Sequence, residues 1–163
     1  MLECEALALG TDGTIRDATT GAPAGTAVVR ALLRRFFGSG APVAIDAREE
    51  PDGALVFTVR RGWRWFGRWY EVRDANGAHV GSLVLDRDEL HVADREGNPL
   101  ATAPMRGAVW PFRAPAGDEL ATGGRVVRPG QRCADDPPAK MLILAASLVA
   151  LVLERSDSAT GSD

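Results

Sequence analysis

MLILAASLVALVL, Met141 to Leu153, lies uncharged between Lys140 and Glu154. Wound as a helix it is apolar on every side except at Ser147, so it has no face to give to water and must be enclosed by protein or by lipid. At ~1.5 Å per residue it would be about 20 Å long. A bilayer core of ~30 Å asks for roughly 20 apolar residues, and shorter runs of this kind are more often buried core helices. The run therefore reads as a helix inside a protein core. A membrane tail anchor and an exposed partner-binding helix are the competing readings. Asp136 is placed as its N-cap, with Pro137 and Pro138 in the first turn, where a missing N–H costs nothing.

A helix enclosed all round needs a wall, and the chain before it supplies short strand–turn–strand units. TIRDATTGAPAGTAV from Thr14, YEVRDANGAHVGSLV from Tyr70 and LHVADREGNPLATA from Leu90 share one plan. Each has an Asp, then a Gly, then a small residue: Asp17/Gly21/Gly25, Asp74/Gly77/Gly81 and Asp94/Gly97/Ala101. FRAPAGDELATG is a weaker copy, with Gly117 and Ala121 but no leading Asp. In such a hairpin the Asp side chain caps its own turn and the Gly takes the positive φ that the loop demands. The flanks alternate, Tyr70 and Val72 against Glu71 and Arg73, Leu90 and Val92 against Glu89 and His91, which is the period of a half-buried strand. Further strands are expected at Val43–Asp46, Ala54–Arg60, Ala108–Arg113 and Arg125–Arg128. Turns at Asp74, Asp94 and Ala114 recur about every 20 residues, which points to a closed sheet or sandwich and not to a βαβ fold. Thr26–Phe37 (TAVVRALLRRFF) breaks the pattern. It sets Val29, Leu32, Leu33, Phe36 and Phe37 against Arg30, Arg34 and Arg35, and reads as a short amphipathic helix, with an opening strand at Thr26–Val29 also compatible.

The 163 residues are the length of one domain, 45% hydrophobic and 25% charged, an ordinary globular composition. A net charge of −3 gives the chain no overall affinity for polyanions, and nucleic acid is not an expected partner. Cys4 and Cys133 are far apart and make no disulfide framework, so a reducing cytoplasm is the simpler setting. MLECEALALG at the start lacks the basic region and apolar core of a signal peptide. The small polar residues from Ser156 onward read as a disordered tail to a single domain of residues 1–155.

Three segments, taken in order, carry a resemblance: VRDANGAHVGSLV (Val72–Val84), VADREGNPLA (Val92–Ala101) and DDPPAKMLILAASLVALVLE (Asp135–Glu154). With the Arg60–Arg61 pair before the aromatic Trp69–Tyr70, they make residues 5 to 154 similar to the phospholipid scramblase and LURP-one-related group of the Tubby C-terminal-like superfamily. The resemblance implies a mainly β fold, a closed antiparallel barrel of short hairpins around a central hydrophobic C-terminal helix. Ala145, Ala146, Ser147 and Ala150 would let the barrel wall approach that helix closely. Three departures stand out. The stretch from Gly124 to Asp135 is brief for the strands usually found there, which points to an altered barrel with a reduced strand number. GWRWFGR replaces the cysteine-rich, lipidated loop of the animal proteins. The acidic segment reputed to bind calcium is reduced to Asp135–Asp136, so calcium binding does not carry over.

The chain offers no catalytic constellation. His79 and His91 fall at outward strand positions without an acid or nucleophile at motif spacing, and neither cysteine has a CxxC or His partner. Asp86–Glu89 reads as an inter-strand turn. No Walker loop, GxSxG elbow or GxGxxG after a strand occurs. The expectation is a non-enzyme without cofactor or metal. The segment that stands out is RRGWRWFGRWY, Arg60–Tyr70. Indoles settle at the headgroup level of a membrane and guanidinium groups bind phosphate bidentately. Arg60, Arg61, Trp63, Arg64, Trp65, Arg68 and Trp69 are thus the candidate headgroup-binding residues, with Arg34 and Arg35 extending the patch. Stacking on nucleobases uses the same residue types, and a hairpin whose aromatics cover the barrel end while its arginines face water needs no ligand at all. The leading expectation is a cytoplasmic, scramblase-related or LURP-one-like protein, peripherally associated with anionic phospholipids. The alternative is a soluble scaffold docking another protein through the same aromatic loop, and a tail-anchored protein comes third. Lipid scrambling is not implied, since nothing supplies a hydrophilic path for headgroups across a bilayer.

Overall fold

The computed structural model describes residues 1–30, 44–62 and 68–160. Among these residues, twelve strands form one closed antiparallel barrel. The first six are β1 (Leu7–Leu9), β2 (Thr14–Asp17), β3 (Pro23–Arg30), β4 (Ala44–Glu49), β5 (Ala54–Arg61) and β6 (Arg68–Asp74). The others are β7 (His79–Asp86), β8 (Glu89–Asp94), β9 (Pro99–Pro104), β10 (Val109–Arg113), β11 (Glu119–Gly124) and β12 (Val126–Pro129). Each strand pairs with its sequence neighbours, and β1 closes the ring on β12 through Leu7–Val127 and Ala8–Val126. A short α1 (Gln131–Ala134) leads into α2 (Pro137–Thr160), which fills the interior. Every residue from Met141 to Leu151 is buried, in one core with Ile45, Phe57, Tyr70, Leu83, Trp110 and Phe112 from around the wall. Asp136 caps α2 as the sequence suggests, its Oδ1 accepting the Ala139 N–H at 3.1 Å and its carbonyl the Lys140 N–H at 2.9 Å.

The wall comes close because two of its inward positions carry no side chain. A Cβ on Gly81 would lie 2.9 Å from Leu142 Cδ2, and one on Gly123 would lie 2.8 Å from Ser147 Oγ. Gly81 and Gly25 also face the bulged backbone of the next strand, at Ala93 and Arg48, with no room there for a Cβ. At both, that contact accounts for the small residue of the repeat.

A meander reverses at each strand, so its connections fall alternately at two ends of the barrel. The five repeated turns, each with a glycine at positive φ, fall at one, the turn end, where α2 begins: β2–β3, β4–β5, β6–β7, β8–β9 and β10–β11. The other, the loop end, carries the remaining connections and the far end of the buried helix. The 20-residue spacing in the sequence is therefore the period of two strands. Each turn is preceded by a register shift, at Ile15/Arg16, Ala47/Arg48, Val72/Arg73, Val92/Ala93 and Phe112/Arg113. Bulges of this kind sharpen the twist and curvature that let a sheet close.

The closed barrel is as expected, and the short Gly124–Asp135 stretch suffices because β12 needs only four residues there and the N-terminal β1, unread as a strand, meets it. Three expectations are corrected. The helix expected over Thr26–Phe37 is absent from its first part: Thr26–Arg30 belongs to β3, paired from Thr26–Arg48 to Arg30–Ala44. A helix there would have left β2 and β4 with open edges, and β-branched Val28 and Val29 suit a strand. Residues 31–43, with the rest of that reading, lie outside the described residues. Arg30 sits on no helical basic face, since its guanidinium binds Asp46 at 2.7 Å. Lastly, α2 continues to Thr160, through the start of the tail expected to be disordered from Ser156.

Candidate functional site

At the turn end, side chains are consumed by the turns themselves. Asp17 Oδ1 accepts the N–H groups of Thr19 and Thr20 at 2.7 and 2.8 Å. Asp74 Oδ1 accepts those of Asn76 and Ala78, and Asp94 Oδ1 those of Glu96 and Asn98. These bonds hold the carboxyl of Asp17 below the usual range through Thr20 and Thr19, and that of Asp94 through the Asn98 side chain and the turn N–H groups. The arginine at the bulge completes the device. Arg16, Arg48, Arg73 and Arg113 donate to the carbonyls of Gly21, Gly53, Gly77 and Gly117 at 3.2, 2.9, 2.8 and 3.4 Å. The sequence carried this signal as the residue before each turn (IRD, ARE, VRD, FRA), and the Asp–Gly reading passed over it. Arg95 pairs with Glu96, Arg132 with Asp118, and Lys140 Nζ donates to the Leu2 carbonyl.

The loop end is different. Arg30 and Arg106 are paired, with Asp46 and Asp88. Among the described residues, Arg60, Arg61, Arg68, Arg87 and Arg125 have neither an ion pair nor a side-chain hydrogen bond. The Arg60–Tyr70 segment is divided by the alternation of its strands. Arg60 is exposed on the outer face, opposite Glu71, while Arg61, opposite buried Tyr70, emerges at the rim. Trp69 packs outside over Gly62, whose Cβ, were there one, would occupy the indole's place. Tyr70 faces inward, 1% exposed, with a hydroxyl that has no hydrogen-bond partner among the described residues. Burial pushes its pKa up, against the pull of Arg61 and Arg68. Trp63, Arg64, Trp65, Arg34 and Arg35 lie outside the described residues.

A cavity of about 370 Å³ opens beside this segment, where α2 leaves the barrel. Its charged lining is Arg68 from β6, Arg87 and Asp88 from the β7–β8 turn, and Glu154 from the helix. The apolar lining is Leu85, Met105, Ala150 and Leu153. Of the sequence candidates among the described residues, Arg68 lines it. Arg87 and Met105 were missed, although Arg87 stands out as one of two residues joining strands where Asn-Gly is the favoured pair.

Elsewhere the chemistry is muted. Among the described residues no cluster of three His, Cys, Asp or Glu side chains is placed to hold a metal ion. Burial and the Asp136 charge push the Cys133 thiol up to about 11, and burial with the Asp17 hydrogen bond raises that of Cys4. The histidines do sit beside carboxylates: His79 Nδ1 is 3.1 Å from Glu71 Oε1 and His91 Nε2 is 3.7 Å from Glu89 Oε2, on the outer wall. The span Pro137–Glu154 is long and apolar enough to cross a membrane, yet 72% of it is buried inside the protein. Comparison with protein-family models, characterised proteins and solved structures finds no match to the chain.

Proposed function

We propose that this is a non-enzymatic, scramblase-related or LURP-one-like protein of the cytoplasm that docks peripherally, loop end first, on anionic phospholipid surfaces. The observation that carries the reading is the contrast in how arginine is used. At the turn end nearly every guanidinium is bound by a glycine carbonyl or an acid, Arg128 excepted. At the loop end Arg60, Arg61, Arg68, Arg87 and Arg125 stand without partners among the described residues, so they meet a phosphate without first breaking a bond. The closed barrel around an apolar helix also agrees with what the resemblance implies. Trp69 at the same rim adds an amphipathic ring of the kind that settles at headgroup level.

The test is co-sedimentation with vesicles of phosphatidylcholine alone or with added phosphatidylserine. Binding is expected only to the anionic vesicles and should fall as salt rises. At ~1 kcal/mol per surface arginine, changing Arg61, Arg64 and Arg68 together to Ala should weaken it about a hundredfold. Equal binding to neutral vesicles, or an undiminished triple variant, would overturn the reading. Salt-independent capture of a protein through the tryptophans would instead favour a scaffold.

A further inference from the structure

Surface docking needs exposed arginines but no cavity, and the loop end has one. We propose that it is a binding site for a single-chain amphiphilic anion, the acidic head held by Arg68 and Arg87 and the chain laid against Leu85, Met105, Ala150 and Leu153.

Size and composition come first. About 370 Å³ falls within the ~300–1,000 Å³ of small-molecule sites, which pair apolar walls with a few placed polar groups. The charge of the lining is the second observation. Asp88 is already bound by Arg106, whereas Arg68 and Arg87 carry no ion pair among the described residues. What remains at the rim is therefore two guanidinium groups against the one carboxylate of Glu154, a net positive charge that favours an anion. The apolar half favours a chain on that anion, since a bare phosphate would leave Leu85, Met105 and Leu153 uncovered.

The third observation is backbone conformation. Arg87 has φ 52°, the only left-handed non-glycine among the described residues. A residue with a Cβ is disfavoured there, and Gly or Asn is the ordinary occupant. Strain of this kind is tolerated where a side chain has a task, and the Arg87 side chain lines the cavity. One layer deeper on the inward face of β6, the buried Tyr70 hydroxyl adds a polar group that has no hydrogen-bond partner among the described residues.

The experiment is calorimetric titration of the full chain, without vesicles, with decanoate and with decyl phosphate below their micelle concentrations. Decanol and inorganic phosphate serve as the two halves of the ligand. Both amphiphiles should saturate one site, and each half should bind at least about tenfold more weakly. Arg68→Ala and Arg87→Gly should each weaken binding about tenfold or more. Arg87→Gly removes the strained Cβ, so its melting temperature should equal or exceed that of the parent and misfolding cannot explain the loss. Glu154→Gln, which deletes a rim negative charge, should tighten binding. Absence of saturable binding, undiminished binding by Arg87→Gly, or weakening by Glu154→Gln would overturn the proposal, the last by indicating a cationic or zwitterionic ligand. Inorganic phosphate binding as well as decyl phosphate would remove the chain from it. Decanoate binding that survives the failure of vesicle binding leaves this site standing and removes surface docking; the converse removes only this site.

Discussion

The two ends of the barrel are built on opposite plans. At the turn end five connections repeat one solution: a bulge, a glycine at positive φ, and, in most, a side-chain acceptor and an arginine folded back onto the glycine carbonyl. At the loop end no two described connections are alike. Arg125 alone joins β11 to β12, Arg87–Asp88 joins β7 to β8, and the β5–β6 connection carries the tryptophans. Repetition marks the end that shapes the sheet, because the same bulge must recur for the sheet to curve evenly. Variation marks the end where side chains are left over, and there the uncommitted arginines and the cavity are found.

The helix connects both ends, so its removal is the largest perturbation. Leu142, Ile143, Leu144, Leu148 and Val149 are buried, each contributing roughly 1.5–3 kcal/mol. Their sum already matches the ~5–15 kcal/mol stability of an ordinary domain. A chain lacking Met141–Leu153 should therefore show no cooperative thermal transition, and both ends should be lost together. A folded barrel surviving that deletion would restore the tail-anchor reading.

Next come paired substitutions of opposite sign, one at each end. Gly77 has φ 82° and open space around its missing Cβ, so Gly77→Ala costs only backbone strain, about 1–2 kcal/mol. Arg87→Gly relieves strain of the same origin, less the entropy of a freer unfolded chain, for a net gain of about 0.5 kcal/mol. Denaturant midpoints of the two variants check the sign. If both were destabilising, the Arg87 turn would be as much a part of the sheet-shaping plan as the turn end, and the comparison would fail.

The turn end was largely legible in the sequence, and for a local reason. Its information lies within a few residues of each turn: Asp17, Asp74 and Asp94 reach their own backbone, and Gly21, Gly77 and Gly97 set φ. The enclosed helix was legible because Met141–Leu153 has no polar face. What escaped was long-range. Three-residue β1 is too short to show alternation and is a strand only because β12 lies beside it. Thr26–Arg30 has helical spacing on paper and is held as strand by β2 and β4. The cavity brings Arg68, Arg87, Met105 and Leu153 together from four parts of the chain, and no spacing rule joins them.

The smallest effect is the acid response of the Asp-capped turns, which Asp12 of the β1–β2 connection shares at the loop end. Asp17 and Asp94 are held below the ordinary carboxyl value by turn N–H groups and, for Asp94, by Asn98. A depressed folded-state pKa contributes stability that is complete above the unfolded value of ~3.9 and is lost as pH falls through the folded value. From neutral pH down to about 5 these turns should be indifferent to pH, and below ~3.9 they should loosen first. Asp94→Asn keeps an acceptor but cannot titrate, so its stability should fall less steeply in acid than that of the parent. Hydrogen exchange then reads the response locally: Thr19, Thr20, Glu96 and Asn98 amides should lose protection on acidification before the Met105 amide, which is held at the loop end by the Asp88 backbone carbonyl. A backbone carbonyl does not titrate, so simultaneous loss at both ends would mean that the acid transition is global and that the Asp caps do not set it.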